Sequence, residues 1–80
     1  MPSTLRTERH RRLIELLVEA RVRSGLTQAE LGARLGRYQS VVAAIEGGGR
    51  RIDIVEFLAI ADALEIDARQ LIDAVRAVPA

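Results

Sequence analysis

Residues 27–46 constrain the fold more than any other part of this chain. Thr27-Gln28-Ala29-Glu30 has the spacing of a capping box, in which the threonine oxygen bonds the third backbone amide and the glutamate reaches back to the threonine amide. A helix therefore starts there. Leu31 and Leu35 give it a buried face and Gly36 supplies the turn that ends it, leaving only about two and a half turns of helix. A second short helix is expected from Gln39 to Glu46, with Val42 and Ile45 facing inward, closed by Gly47-Gly48-Gly49-Arg50-Arg51. That glycine run lacks the lysine and hydroxyl of a phosphate loop, so it reads as a flexible helix exit.

The spacing elsewhere predicts three more helices. The first begins near Ser3 or Thr4 and runs to Ser24, with Leu13, Leu17 and Ala20 on one face and Gly25 as its left-handed terminator. Ile14, Val18 and Val22 form a second apolar row, so more than one neighbour must cover this helix. Asp53-Ile54-Val55-Glu56 and Asp67-Ala68-Arg69-Gln70 are two further box-like starts. Helix four then carries Ile54, Phe57, Leu58, Ala61 and Leu64; helix five carries Leu71, Ile72 and Val75 before Pro79. No segment alternates as a half-buried strand does. The expectation is one all-α domain over residues 1–80, built of five helices.

Composition narrows the function classes. With 49% hydrophobic and 29% charged residues the chain is of ordinary globular make-up. No apolar run exceeds five residues, against roughly 18 or more for a membrane span, and residues 1–12 are too polar and basic for a secretory signal. A cytoplasmic, nucleoid-associated location is the expectation. There is no cysteine, and the only histidine is His10, read as a solvated helix residue, so neither a metal site, a cofactor nor an enzyme is expected. The charge is divided. Residues 1–51 carry ten arginines against five glutamates, a net +5, whereas residues 52–80 carry two arginines against six acids, a net −4. The basic half is what a polyanion would meet, and arginine can grip a phosphate with two parallel hydrogen bonds.

Two short helices about Gly36 have the dimensions of a helix-turn-helix, whose second helix enters the major groove of DNA. Leu26-Thr27-Gln28-Ala29-Glu30-Leu31, then Leu35-Gly36, Gln39-Ser40 and Ile45-Glu46-Gly47, resemble the lambda-repressor-like, or Xre-family, DNA-binding domain. The likeness runs from Leu17 and Arg21 to Leu58-Ala59-Ile60-Ala61-Asp62-Ala63-Leu64 and Leu71, some fifty-five of the eighty residues. It implies a five-helix lambda-repressor-like bundle with its helix-turn-helix at about residues 27–46.

The resemblance also implies a DNA-facing set. Gln28, beside Thr27 at the start of the bracing helix, matches a phosphate-bonding position, where the helix's positive end adds attraction. Gln39 matches the first base-reading position, and its amide suits adenine, donating to N7 while accepting from N6. Ser40, Val41, Ala43 and Ala44 fall along the same reading helix; Tyr38 precedes it and can bond a phosphate. Arg37, Arg50 and Arg51 are expected to clamp phosphates at its two ends, whereas Arg34 is read as solvated. Arg21 and Glu46 match positions that form a structural ion pair between helix one and the end of the reading helix.

Departures from the family pattern are Tyr38 as a poor cap, Ala43-Ala44 and Gly47 in place of polar contacts, and Gly32 in place of alanine, the last costing up to about 1 kcal/mol of helix propensity. The expected function is a sequence-specific regulator, most simply a repressor, that binds double-stranded DNA at an inverted repeat as a homodimer. Ile72, Val75 and Val78, with the second row of helix one, are its expected dimer surface. The alternative is a protein-interaction module, an antitoxin or adaptor with a toxin or other protein as partner, that keeps the fold and reads DNA weakly. With Tyr38 and Phe57 the only aromatics, a single-stranded stacking platform is a poor alternative.

Overall fold

The protein is described by a computed structural model over residues 6–80. Among these residues there are five helices and no strand: α1 (Glu8–Arg23), α2 (Gln28–Leu35), α3 (Gln39–Glu46), α4 (Ile54–Ala63) and α5 (Ala68–Arg76). The central α2–α3 pair has the boundaries expected from the capping box and the glycines.

Helix α1 starts later than the sequence suggested. Ser3 and Thr4 lie outside the described residues, and the helix begins at Glu8, behind an extended Thr7 whose hydroxyl accepts from the His10 amide at 3.2 Å. Its buried residues are Ile14, Leu17 and Ala20. The two apolar rows are thus split differently: Ile14 joins the core, Leu13 and Val18 are half-buried, and Val22 is exposed. Because α3 and α5 both pack on α1, the covered face spans parts of both rows.

The core draws on every helix, with Leu31 from α2, Val42 and Ile45 from α3, Phe57 and Ile60 from α4, and Leu71 from α5. In α4 the inward face is Phe57, Ile60 and Ala61, continued by Leu64 just past the helix; Ile54 and Leu58, expected on the same apolar face, are exposed at 61% and 43%. Ile72 is likewise 45% exposed, and Leu71 is the one buried residue of α5.

The cap of α4 is half of the expected box, made to the N3 amide, whereas that of α5 goes to the N2 amide and forms neither half of one. Asp53 accepts from the Glu56 amide at 2.7 Å and Asp67 from the Arg69 amide at 2.9 Å. The return bonds are not formed, because the Glu56 carboxylate is engaged by Arg50 and no bond runs from the Gln70 side chain to Asp67.

Two arginines instead close helix C-termini, where free carbonyls and the helix dipole favour a cation. Arg9 donates from Nε to the Val78 carbonyl at 2.7 Å and from Nη2 to that of Arg76 at 3.2 Å, tying the start of α1 to the end of α5. Arg34, expected to be merely solvated, donates to the Ala63 carbonyl at 3.0 Å and so fastens α2 to the last residue of α4.

Candidate nucleic-acid interface

The turn between α2 and α3 is built on two glycines with different tasks. Gly36 takes a left-handed conformation, φ 66°, and ends α2. Gly32 is buried, and a Cβ there would lie 2.8 Å from the Arg37 carbonyl oxygen and 3.3 Å from the Gln39 amide nitrogen. Gly32 is therefore more than a loss of helix propensity. It lets the backbone at the start of α3 lie directly on α2, and the Arg37 amide closes the turn by donating to the Gly32 carbonyl at 2.8 Å.

A chain of side-chain hydrogen bonds crosses this turn from the interior to the surface. Arg21 donates from Nε to Glu46 Oε2 at 2.6 Å and from Nη2 to Glu46 Oε1 at 2.9 Å, while its Nη1 holds the Leu26 carbonyl at 2.8 Å. The two side chains are only 13% and 10% exposed, and the bonds to Glu46 hold the Arg21 guanidinium above its ordinary pKa against the cost of burial. Gln28 Nε2 then donates to Glu46 Oε1 at 3.0 Å, and Gln39 Nε2 donates to Gln28 Oε1 at 2.7 Å. Gln39, the first residue of α3, is exposed, so the chain ends on an amide at the surface.

Ser40 and Ala44 are exposed along α3, and Ala43 is half-buried. Val41 is set apart from them: it is half-buried, packs against the core and lines a groove with Leu35, Val55 and Ala59. Tyr38 precedes α3 with no side-chain cap bond and is 84% exposed.

The flanking arginines are less free than their sequence suggested. Arg50 is bound end-on to Glu56, Nη1 to Oε1 at 2.5 Å and Nη2 to Oε2 at 2.9 Å, and Arg37 reaches the same carboxylate at 3.5 Å. Glu56 thereby has its pKa lowered, first by the hydrogen bond from Arg50 and then by the charges of Arg50 and Arg37 against its own desolvation. Arg51 is exposed, and its side chain makes no hydrogen bond or ion pair within the described residues. His10 is not a solvated residue: it is half-buried, with Nε2 3.1 Å from the Gly48 carbonyl, and joins α1 to the loop after α3.

Sequence reasoning missed Glu56 and the Gln28–Gln39 bond. Glu56 was legible only as a capping-box residue, and its spacing from Arg50 does not reveal that the loop folds back. No helical periodicity links Gln28 to Gln39, because the turn alone brings them together. Among the described residues no group of three or more His, Asp or Glu is placed to hold a metal ion, and no helix is long and apolar enough to cross a membrane.

A helix-turn-helix domain family model matches residues 3–75. Among solved structures the chain is similar to an XRE-family like protein from Pseudomonas syringae pv. tomato str. DC3000, with 42% sequence identity, a TM-score of 0.81, and coverage of 86% of this chain and 84% of that one. No curated protein matches the sequence. The order of five helices, the tight glycine turn between α2 and α3, and these two likenesses agree: the chain belongs to the Xre-type helix-turn-helix family.

Proposed function

We propose that this protein is a sequence-specific regulator that binds duplex DNA by inserting α3 into the major groove. The observation that carries the reading is the exposed Gln39 amide, held at the start of α3 by Gln28 and, through it, by Glu46. A glutamine held this way can read adenine with one donor and one acceptor. Around it, Ser40 can bond several base edges, the Ala44 methyl can touch a thymine methyl, and Ala43 lines the same helix. Thr27, Gln28, Arg37, Tyr38, Arg50 and Arg51 are the phosphate-side groups.

A single small domain offers about 600–1,000 Å² to DNA, too little for operator-grade specificity, so the protein is proposed to pair on an inverted repeat and act most simply as a repressor. The apolar groove formed by Leu13, Ile54, Phe57, Ile72 and Val75 supports pairing on the α5 side.

Enrichment of bound sequences from a random duplex pool tests this reading. The wild type is expected to yield one motif and Gln39→Ala to lose preference at one position per half-site; a wild type that enriches nothing overturns it. The second reading, an interaction module such as an antitoxin or adaptor, draws support from the neutralisation of Arg50 by Glu56 and from Ala43-Ala44 on α3. It predicts weak duplex binding without sequence preference, whereas several phosphate contacts cost orders of magnitude of affinity between about 50 and 200 mM salt.

A further inference from the structure

We infer that Glu46, without touching DNA, sets the base preference of Gln39 by fixing which way round two amides are held. The inference rests on the DNA-reading function proposed above and deepens it.

What each group can donate or accept fixes the order of the bonds. Arg21 has only donors, and it grips both oxygens of Glu46. An ionised carboxylate has only acceptors, so the group that Gln28 turns towards Glu46 Oε1 must be its NH2. The other end of that amide, Gln28 Oε1, then faces Gln39 as an acceptor, and Gln39 must answer with its own NH2, at 2.7 Å. Neither amide can rotate by half a turn without placing donor against donor or acceptor against acceptor. The polarity is passed from a largely buried ion pair to an exposed side chain through two hydrogen bonds.

One N–H of Gln39 is used in that bond, which leaves its carbonyl oxygen and its second N–H for a ligand. That pair complements adenine, which presents an N6 donor beside the N7 acceptor. It opposes guanine, whose O6 and N7 both accept and which would set two lone pairs against the Gln39 oxygen. A neutral amide at residue 46 removes the constraint. A glutamine there loses one of the two Arg21 bonds whichever way it lies. With its NH2 in the place of Oε1 it gives up the 2.9 Å bond and keeps the 2.6 Å one, Gln28 can turn its oxygen inward, and Gln39 is then free to turn its NH2 outward. Glu46 is thus a positioning residue for base choice. A merely structural role would lower affinity for all sequences alike.

The test is random-duplex selection followed by competition between two duplexes that differ only by adenine or guanine at the Gln39-dependent position. It compares the wild type with Glu46→Gln and with Gln28→Leu, a variant that keeps the Arg21–Glu46 pair and cuts the chain one step later. The wild type is expected to favour adenine by about tenfold or more, the discrimination typical of a good bidentate contact. Both variants should bring the ratio to within about threefold of unity, beyond any uniform loss of affinity. If Glu46→Gln unfolds the domain, Gln28→Leu decides alone. A wild-type adenine preference that survives unchanged in the folded variants but vanishes in Gln39→Ala overturns this inference and leaves the DNA-reading proposal standing. A wild type that enriches no motif overturns both.

Discussion

Arg21 on α1 holds Glu46, the last residue of α3, through two parallel hydrogen bonds of 2.6 and 2.9 Å. The pair fixes the end of α3 against α1 beside the apolar packing of Leu17 and Ala20 with Val42 and Ile45. Removing one partner of a buried pair strands a charge, whereas removing both need cost little, so the pair serves orientation more than net stability. Arg21→Met alone should therefore cost about 3 kcal/mol in urea unfolding. Combined with Glu46→Gln it should cost less than the two single changes together, by a coupling of at least about 1 kcal/mol. Additive effects would show that the bonds contribute nothing as a pair.

At Gly32 two effects of opposite sign compete. Alanine gains up to about 1 kcal/mol of helix propensity over glycine. Its Cβ, however, would sit 2.8 Å from the Arg37 carbonyl oxygen, a backbone atom of the turn that cannot swing aside as a side-chain tip can. Such overpacking typically costs about 1–3 kcal/mol and should win. Gly32→Ala is expected to lower the melting temperature by several degrees, at about 4–8 °C per kcal/mol for a domain of this size. A rise in melting temperature would mean that the turn yields freely.

The parts of this architecture that were legible in the sequence are those decided locally. Thr27 and Glu30 form a full capping box because its partners are three residues apart, and Gly36 ends α2 because a left-handed residue is needed there. What was illegible depends on how helices meet. Ile54 and Leu58 read as core because an apolar stripe broader than its covering leaves its edges in doubt, and the structure buries Ile60 in their place. Arg34, His10 and Glu56 bond to groups 29, 38 and 6 residues away, across loops whose path no periodicity records.

Acid should destabilise the domain partly through Glu56 and Glu30. Both carboxyls have folded-state pKa values below the ordinary range, Glu56 chiefly by its bond from Arg50 and Glu30 chiefly by its bond to the Thr27 backbone. A lowered folded pKa gives stability that is complete above the unfolded-state value, about 4.3, and is lost as pH falls through the lower folded value. Glu56→Gln should flatten that acid limb in melting experiments between neutral pH and pH 3. The same change releases Arg50 and Arg37. If they meet DNA phosphates, the slope of log K against log salt should steepen by about 0.9 per added contact. An unchanged slope would exclude them as contacts that Glu56 masks.

Glu65 is the one described non-glycine residue with positive φ, at 56°, where the chain leaves α4. A left-handed L-residue costs roughly 1–2 kcal/mol, and glycine is the usual occupant after a helix. Glu65 is exposed and its side chain makes no hydrogen bond within the described residues, so nothing of the folded state is lost with it. Glu65→Gly should stabilise the domain by about 0.5–1 kcal/mol, after the greater chain entropy of glycine is deducted. Destabilisation in urea would show that the helix exit is held by interactions of the glutamate.

The proposed pairing on DNA has its own test at Ile72. This residue is 45% exposed beside Ile54, over a groove whose rim carries Arg9, Arg76 and Asp53. A two-fold interface must match itself, so the proposal requires the apolar floor of one copy to lie on that of the other. Ile72→Asp places a carboxylate in the floor yet should leave the monomer folded, since Leu71 and not Ile72 fills the core from α5. Linking two half-site contacts raises affinity by about 10²–10⁴. Ile72→Asp should therefore lose about a hundredfold on the selected inverted repeat, with binding to one isolated half-site nearly unchanged. Sedimentation should show the wild type pairing on the repeat and the variant bound as a single copy. Equal affinity of both proteins for the full repeat would place the pairing surface elsewhere, with Val22, on the outer row of α1 and 61% exposed, the next position to change.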